Sequence, residues 1–600
     1  MLQALMEYGA RLDSEPGFKT REIRWRIDLD ASGELIAVLP LGDGKRGQMH
    51  ARCPDMHNMN AGGRAHFLVE SAQTAVLLFK PNEDSKKIAS AQARHDYFVG
   101  LLDAASAELP PMARLVAALR STSARNAIRD ALAERKAKPT DWITWRLGDF
   151  DPRTDGAMQA WWRQWRAEDL SAVAKPGKSA KPNPADVLCF LTGELVQPLA
   201  THPKISGLSG VGGLGMGDVM VGFDKAAFSS FGFEQSANAA MSAVAAQQYA
   251  DGLNALIRNH SRKLANALVV HWFKEQISQD DDPYAWLVGL ESDEQTEAAA
   301  QSRARALLDA IQSGQRSDLG DNRYHAMTLS GASGRVMVRD WMEGSFEDLV
   351  RNVEAWFTDL EVTAAHGAAP TRDSKFFEIC LALIRNDRTK SITSNLEKLP
   401  APVGATLWKT AVQHLPIPQP ILAMALAQFR SERFTPDEKN REVFNHARMG
   451  LIKAYFVRLT PGGDPTVTAY LNPDHPDPAY HCGRLLAVLS NLQRAALGDV
   501  GAGVVQRYYA AASQTPGLIL GRLAANARNH LGKLDGGLAY WFENQIADVM
   551  GRLGDRAPRI LDLEGQSLFA LGYYQQLAAL RADAKERKST TKTATIGDRQ

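Results

Sequence analysis

EIRWRIDLDASGELIAVLPL, residues 22–41, decides the character of the N-terminal part of the chain. Ile23, Trp25, Ile27 and Leu29 alternate with polar or charged neighbours. A period of two places one face of a strand in a core. Ser32-Gly33 supplies turn chemistry, and ELIAVLPL then resumes a strand-like run, so the stretch predicts a β-hairpin over 22–39. Upstream, Leu2, Leu5, Met6 and Leu12 at helical spacing predict a short amphipathic helix over 2–12. Downstream, helical patterns dominate from about 67 to 170 and include the tryptophan-rich GAMQAWWRQWRAEDL.

Between 172 and 188, Lys175, Lys178 and Lys181 alternate with Pro176, Pro182 and Pro184. Proline continues neither a helix nor a sheet ladder, so 172–185 reads as a linker or loop. Residues 187–233 read as strands and glycine-rich turns (VLCFLTGE, a glycine run, DVMVGFD), followed by a helix at 242–259. RVMVRDW, 335–341, reads as a strand. SFEDLVRNVEAWFTDL, 345–360, predicts a helix with Ser345 as N-cap and Leu349, Val353, Trp356 and Phe357 on its buried face.

From there the chain reads as almost wholly helical. Five amphipathic segments close it, with Pro516 at a helix start and glycines between segments. The fold class is therefore α+β. A mixed N-terminal domain with β-hairpins and glycine-rich loops (1–344) precedes a helical connecting region (345–478) and a C-terminal helical bundle (479–582). Residues 583–600 lack apolar periodicity and read as a disordered tail.

Composition bounds the function. With 600 residues, 45% hydrophobic and 23% charged, the chain is long enough for several cores. Its 69 Lys+Arg and 68 Asp+Glu leave a net charge of +1, so any nucleic-acid binding rests on local patches or on partner subunits. Cys53, Cys189, Cys380 and Cys482 form no CxxC pair, which argues against a zinc ribbon and suits a reducing cytoplasm. The N-terminus lacks the basic flank and long apolar core of a signal peptide, and no run approaches 18 apolar residues.

The catalytic motifs fail on context. SGVGGLGMGD (209–218) contains GxGxxG at Gly210, Gly212 and Gly215. A dinucleotide site needs a strand before this motif and a helix after it, and here a turn-rich segment precedes and a β-like one follows. Two readings of the run stay open: backbone N–H groups approaching phosphate or a DNA groove at Gly212-Gly213, or a flexible hairpin. Gly177-Lys178-Ser179 resembles the end of a P-loop, but Ala172 stands where the upstream glycine belongs. His95-Asp96 lacks the further ligands of a metal-dependent nuclease and reads as an exposed helical pair, and His481-Cys482 reads as the start of a packed helix. With no GxSxG or HExxH either, the expectation is no catalytic residue, no metal and no cofactor.

Three loops are better candidates for recognition. HNMNAGGRAH (57–66) offers Asn58, Asn60 and Arg64, THPKISG (201–207) offers His202 and Lys204, and EQSANAAMS (234–242) offers Gln235 and Asn238. Asparagine and glutamine pair with base edges, and Arg and Lys with phosphate. The plainer reading is that Asn and Gly make turns.

Taken in order, LQALMEYGARL, CFLTGELVQPLATHPKISGLSG, VMVGFDKAAFSSFGFEQSANAAMS, GRVMVRDWMEGSFEDLVRNVEAWFTDL and YHCGRLLAVLSNLQRAALG resemble the large subunit of the type I-C CRISPR Cascade, the Csd-type family. The resemblance implies a non-catalytic, cytoplasmic DNA-binding protein of antiviral defence. Its partners would be the backbone subunits that carry the CRISPR RNA, the 5′ end of that RNA, target duplex DNA and a recruited nuclease-helicase. It implies recognition of the protospacer-adjacent motif (PAM) by the loops above, followed by strand separation into an R-loop. It further implies a bundle like the small subunit, with a separate small subunit arising from internal translation, for which Met449 is a candidate start. Arg484, Arg494, Arg507, Arg522, Arg528 and Lys533 then become candidates for a track along the displaced single strand, or else a solvated helix surface. The rival functions are a ribonucleoprotein scaffold without PAM reading, a nuclease and a metabolic enzyme.

Overall fold

The computed structural model describes the chain apart from residues 13, 44–45, 57–62, 174–186, 200, 224, 229–232, 234, 289–299, 366, 368–373, 388, 434–444, 499–502 and 598–600; of 170–173, 226, 432–433 and 587–597 it describes the backbone alone. The chain divides into two compact units. Residues Met1–Ser206 and Gly217–Ile257 form the first, and Gly207–Met216 with Arg258–Gln600 form the second.

In the first unit, helix α1 (Leu2–Ala10) leads into strands β1 (Phe18–Ile23), β2 (Trp25–Leu29), β3 (Leu35–Pro40) and β4 (Gln48–Pro54). The alternation read from 22–41 is realised, since Ile23, Trp25, Ile27 and Leu29 are all buried. Gly33, at φ +89°, turns β2 into antiparallel β3. After the two-residue β5 (Glu70–Ser71) come helices α2 (Ser85–Ser106), α3 (Met112–Arg120) and α4 (Thr122–Glu134). The chain then returns as β6 (Trp142–Leu147), parallel to β2, giving a four-stranded sheet in the order β3-β2-β6-β5. A parallel return needs a long crossover, and the three helices supply it. Phe98, Leu102, Ile128 and Leu132 from those helices are buried in one core with Ile27 and Trp145 of the sheet.

Helix α5 (Gly156–Val173) adds Trp161 and Trp162 to this core, and both rings pack on Phe67. The hairpin β7 (Val187–Leu188) and β8 (Leu195–Val196) precedes helix α6 (Ala243–Asn259). A Cβ on Gly9 of α1 would collide with the Gln248 carbonyl, and one on Gly252 with that of Leu5. The two helices therefore meet backbone to backbone.

The second unit opens with an antiparallel meander: β9 (Ser261–Leu264), β10 (Ala267–Phe273), β11 (Arg323–Ala332) and β12 (Arg335–Ser345). Helices α7 (Ala300–Gln312) and α8 (Phe346–Leu360) lie among these strands and immediately after them. The Oγ of Ser345 accepts from the Asp348 N–H at 3.1 Å, so the N-cap read from sequence is present, and Leu349, Val353, Trp356 and Phe357 are buried. Helices α9 (Ala401–Val412), α10 (Gln419–Arg433) and α11 (His446–Leu459) follow, with Met449 buried inside α11.

The five terminal segments form α12 (Pro478–Leu497), α13 (Val504–Gln514), α14 (Pro516–Leu531), α15 (Gly536–Leu553) and α16 (Leu563–Gly597). Gly483 of α12 and Gly572 of α16 mark the closest crossing. A Cβ on Gly483 would overlap the Phe569 carbonyl, and one on Gly572 that of Tyr480.

Three expectations are corrected. VMVGF forms no strand: among the described residues, Asp218 and Val219 stand only in isolated bridges, Asp218 with Ile205. The backbone turns through Gly217 at φ +87° just before that point. His95 is not exposed; it is buried, and its Nδ1 lies 3.0 Å from the Thr74 carbonyl. The helix α16 runs to Gly597, past residue 582: AKERK (584–588) is made of good helix formers, and residues added to an existing helix need no new nucleus. Among the described residues, no helix is long and apolar enough to cross a membrane.

Candidate nucleic-acid interface

The candidates divide by how they are held. Asn58 and Asn60 lie outside the described residues, but both edges of their loop are fixed. Before it, the Met56 N–H donates to His66 Nδ1 at 3.0 Å, and the His66 N–H donates to Glu70 Oε2 at 2.9 Å. The Arg21 guanidinium pairs with Asp55, lies against His66 and sits 4.2 Å above the Trp142 ring. Burial, then the positive charge of Arg21, pushes the His66 pKa down to about 4. The ring is therefore neutral at ordinary pH, as its acceptor role requires. After the loop, Arg64 grips Asp169 of α5 with two bonds, 2.9 and 3.4 Å. Arg64 thus anchors the edge of the loop by a charge-paired fork.

Lys204 is exposed on a stiff mount. The side chain of Asn254 on α6 bonds both sides of it: Nδ2 donates to the Lys204 carbonyl at 3.2 Å, and Oδ1 accepts from the Ser206 N–H at 2.8 Å. The bridge Ile205–Asp218 adds two backbone bonds of 2.8 Å. Asn254 is buried, and no pattern in the sequence pointed to it as the residue that holds this loop. A lysine fixed by its backbone, with its ammonium in solvent, suits a phosphate contact.

Gln235 and Asn238 share one short 3-10 turn, Gln235–Ala239. Gln235 is exposed at φ +49°, and its carbonyl accepts from Asn238 Nδ2 at 3.0 Å. The Asn238 amide is thereby partly committed to its own turn, leaving Gln235 as the freer base-edge donor and acceptor.

His202 is a correction. It is buried, with Nδ1 2.8 Å from the Tyr249 hydroxyl, and burial takes its pKa down to about 4. A neutral imidazole packed beneath the loop supports the fold and does not reach a phosphate.

Gly212 and Gly213 also find a partner within the protein. Gly212 adopts φ +91°, and a Cβ there would sit 2.7 Å from the Gly331 carbonyl; one on Gly331 would overlap Gly213. The glycine run lets the loop lie on the β11–β12 turn. Close approach is the correct reading of these glycines, and the surface approached is the chain's own backbone.

In the C-terminal bundle, Arg494, Arg507, Arg522, Arg528 and Lys533 are exposed on α12, α13, α14 and the turn that follows. Arg484 is the second correction. It is 2% exposed, and its guanidinium bonds Gln576 Oε1 at 2.8 Å, the Pro473 carbonyl at 3.2 Å and Asp548 at 3.1 Å. It ties α12 to α15 and α16, and no strand can run along it.

Among the described residues, no group of three His, Cys, Asp or Glu side chains is placed to hold a metal ion. Cys53, Cys189, Cys380 and Cys482 are free and buried. Burial pushes the Cys53 thiol up to about 11 and Cys482 up to about 12, far from the thiolate form a nucleophile needs.

The order of segments that resembled the Csd-type family is matched at the level of the whole chain. The family model described as CRISPR-associated protein (Cas_Csd1) matches residues 3–581. The chain belongs to that family. A Cas_Csd1 protein is a subunit of a CRISPR effector complex, Cascade, and works with other Cas subunits. No curated protein matches the chain. In this Cas_Csd1 chain the match runs through both compact units, from α1 into α16, and takes in every loop discussed above.

Proposed function

We propose that this chain is the non-catalytic large subunit of a type I-C Cascade, acting in the cytoplasm on duplex DNA. It recognises the PAM, helps part the strands into an R-loop and supports recruitment of a separate nuclease-helicase. The observation that carries the reading is the near full-length match to the Cas_Csd1 family. In an RNA-guided assembly, base pairing reads most of the target, so the protein needs only a short motif reader and backbone contacts. A net charge of +1 fits such a subunit, whose cations are local.

Within the first unit, Lys204 on its Asn254 mount supplies a phosphate contact, and Gln235, with Asn58 and Asn60, supplies base-edge candidates. The exposed bundle cations Arg494, Arg507, Arg522, Arg528 and Lys533 take the displaced strand.

The test is binding by the reconstituted complex, with and without this subunit, to duplexes that differ only in the PAM. The expected result is PAM-dependent binding that requires the subunit and is weakened by Lys204→Ala. Assembly that needs the subunit but binds all duplexes alike would make it a scaffold. Metal-dependent cleavage by the purified chain would make it a nuclease.

A further inference from the structure

A second concentration of positive charge lies in the first unit, in a segment that holds none of the candidate DNA-contact residues. Residues 112–138 hold seven cations and two acids, Asp130 and Glu134. That net excess of five equals the excess of the whole 479–600 region, with 15 basic and 10 acidic residues, in less than a quarter of the length. With +1 on the chain as a whole, the remaining residues sum to −4.

Arg114 and Arg120 lie on α3, Arg125 and Arg129 on α4, and Arg135, Lys136 and Lys138 at or just beyond the end of α4. Only Arg120 meets an acid, Asp103, in an exposed pair of 2.7 Å. Arg125 donates to the Leu119 carbonyl, Arg129 to that of Leu77 at 3.4 Å, and Arg135 to that of Ala131 at 3.2 Å. Carbonyls orient a guanidinium without cancelling its charge. Among the described residues, none of these six other cations has an acid within ion-pairing distance. A plainer account covers part of the set: cations after a helix C-terminus offset its partial negative charge. That explains Arg135 and Lys136. Arg125, on the Leu119 carbonyl in the last turn of α3, serves that helix end in the same way, which leaves Arg114 and Arg129 outside this account.

The base is rigid. Ile128 and Leu132 are buried in the sheet's core, and the β2–β3 turn at Gly33 lies against the carbonyl of Arg114. From Arg125 to Arg135 the helix rises about 15 Å, long enough to span several phosphates of a duplex. The segment 112–138 contains no Phe, Trp, Tyr or His. Single strands are held by bases stacking on aromatic rings, whereas a duplex hides its bases and offers phosphates. The bundle differs here: Tyr540, 66% exposed, and Tyr508 stand among its arginines.

We infer that the α3–α4 face is a phosphate-binding surface for double-stranded DNA, which holds the duplex without reading its sequence. This rests on the proposed role in duplex recognition and adds a contact outside the PAM loops.

The experiment compares the reconstituted complex carrying wild-type chain, R114Q/K136Q/K138Q, the charge-preserving R114K/K136R/K138R, or K204A. Affinity is measured for PAM-bearing and PAM-mutated duplexes across a salt series. All three patch residues are exposed, so the folded chain should be retained. The triple Gln variant should lose roughly tenfold or more in affinity near physiological salt, equally for both duplexes, and its salt slope should fall by about 2–3. The charge-preserving variant should bind as wild type. An unchanged slope overturns the inference. So does a loss confined to the PAM-bearing duplex, or a loss of guide RNA or of another subunit with DNA binding intact. PAM-independent binding by the wild-type complex, with the triple Gln variant still weakened, would instead reject PAM reading and leave the α3–α4 surface standing.

Discussion

Of the places in the second unit where backbone presses against backbone, two look nothing alike in sequence. At the α12–α16 crossing, Gly483 and Gly572 are single glycines inside apolar helices. At the β11–β12 turn, Gly212 and Gly213 belong to a run that spells out a nucleotide-binding motif. The first pair has no signature and the second has a conspicuous one, yet both make room for the protein's own carbonyls. Crowded glycines signal close approach; what approaches has to come from the surroundings.

The largest effect should separate the two sites by stability. Gly483→Val drives a branched side chain into the Phe569 carbonyl between two long helices, and should cost on the order of 3 kcal/mol or more in chemical denaturation. Arg484→Ala at the same crossing removes a buried guanidinium with four partners, and should cost about 2–3 kcal/mol. At the loop, Gly331→Val should cost about 1–2 kcal/mol, because a turn relaxes more readily than a helix pair. If Gly331→Val instead leaves stability unchanged and abolishes DNA binding, the glycine run is a phosphate cradle and the comparison fails.

Acid should sharpen the contrast. The His481 Nε2–H donates to the His475 carbonyl at 2.7 Å, and its Nδ1 accepts from Arg484 at 3.1 Å, so the ring is neutral. Burial lowers the pKa of His481 and of His475. As pH falls below the ordinary histidine range, the unfolded chain takes up protons that the folded crossing resists, and stability falls. The protection factors of α12 amides, measured against the intrinsic exchange rate at each pH, should fall in acid and fall less in His481→Gln. Residues 207–216 contain no titratable side chain, so exchange there should respond only through the unit as a whole. The smallest effect belongs to Arg522→Ala, an exposed change on α14 that should move stability by no more than about 0.5 kcal/mol.

What the sequence disclosed follows the range of the forces. The β2–β3 alternation, the Ser345 cap, the Pro516 start and the five terminal helices depend on neighbours within a few residues, and all were legible. Partners far along the chain were not. His202 is buried by Tyr249, 47 residues on, and Lys204 is mounted by Asn254, 50 residues on. Arg484 looked like part of a basic surface because its main partner, Gln576, lies 92 residues away. Arg64 was read as free to meet DNA, while its acid, Asp169, stands 105 residues downstream. The α3–α4 cations were in plain view, but charge became informative only when their neighbours proved to be carbonyls.

The loop on the β11–β12 turn also sets an order of events during synthesis. Gly212 leaves the ribosome about 120 residues ahead of Gly331, a wait of roughly 6–24 s at 5–20 residues per second. Throughout that interval Leu214 has no turn to lie beside. Residues 217–257, which complete the first unit, emerge on the far side of the same unanchored segment. The first unit can therefore complete itself while the seat of this loop is still unmade, and 207–216 stays without its partner turn through that interval.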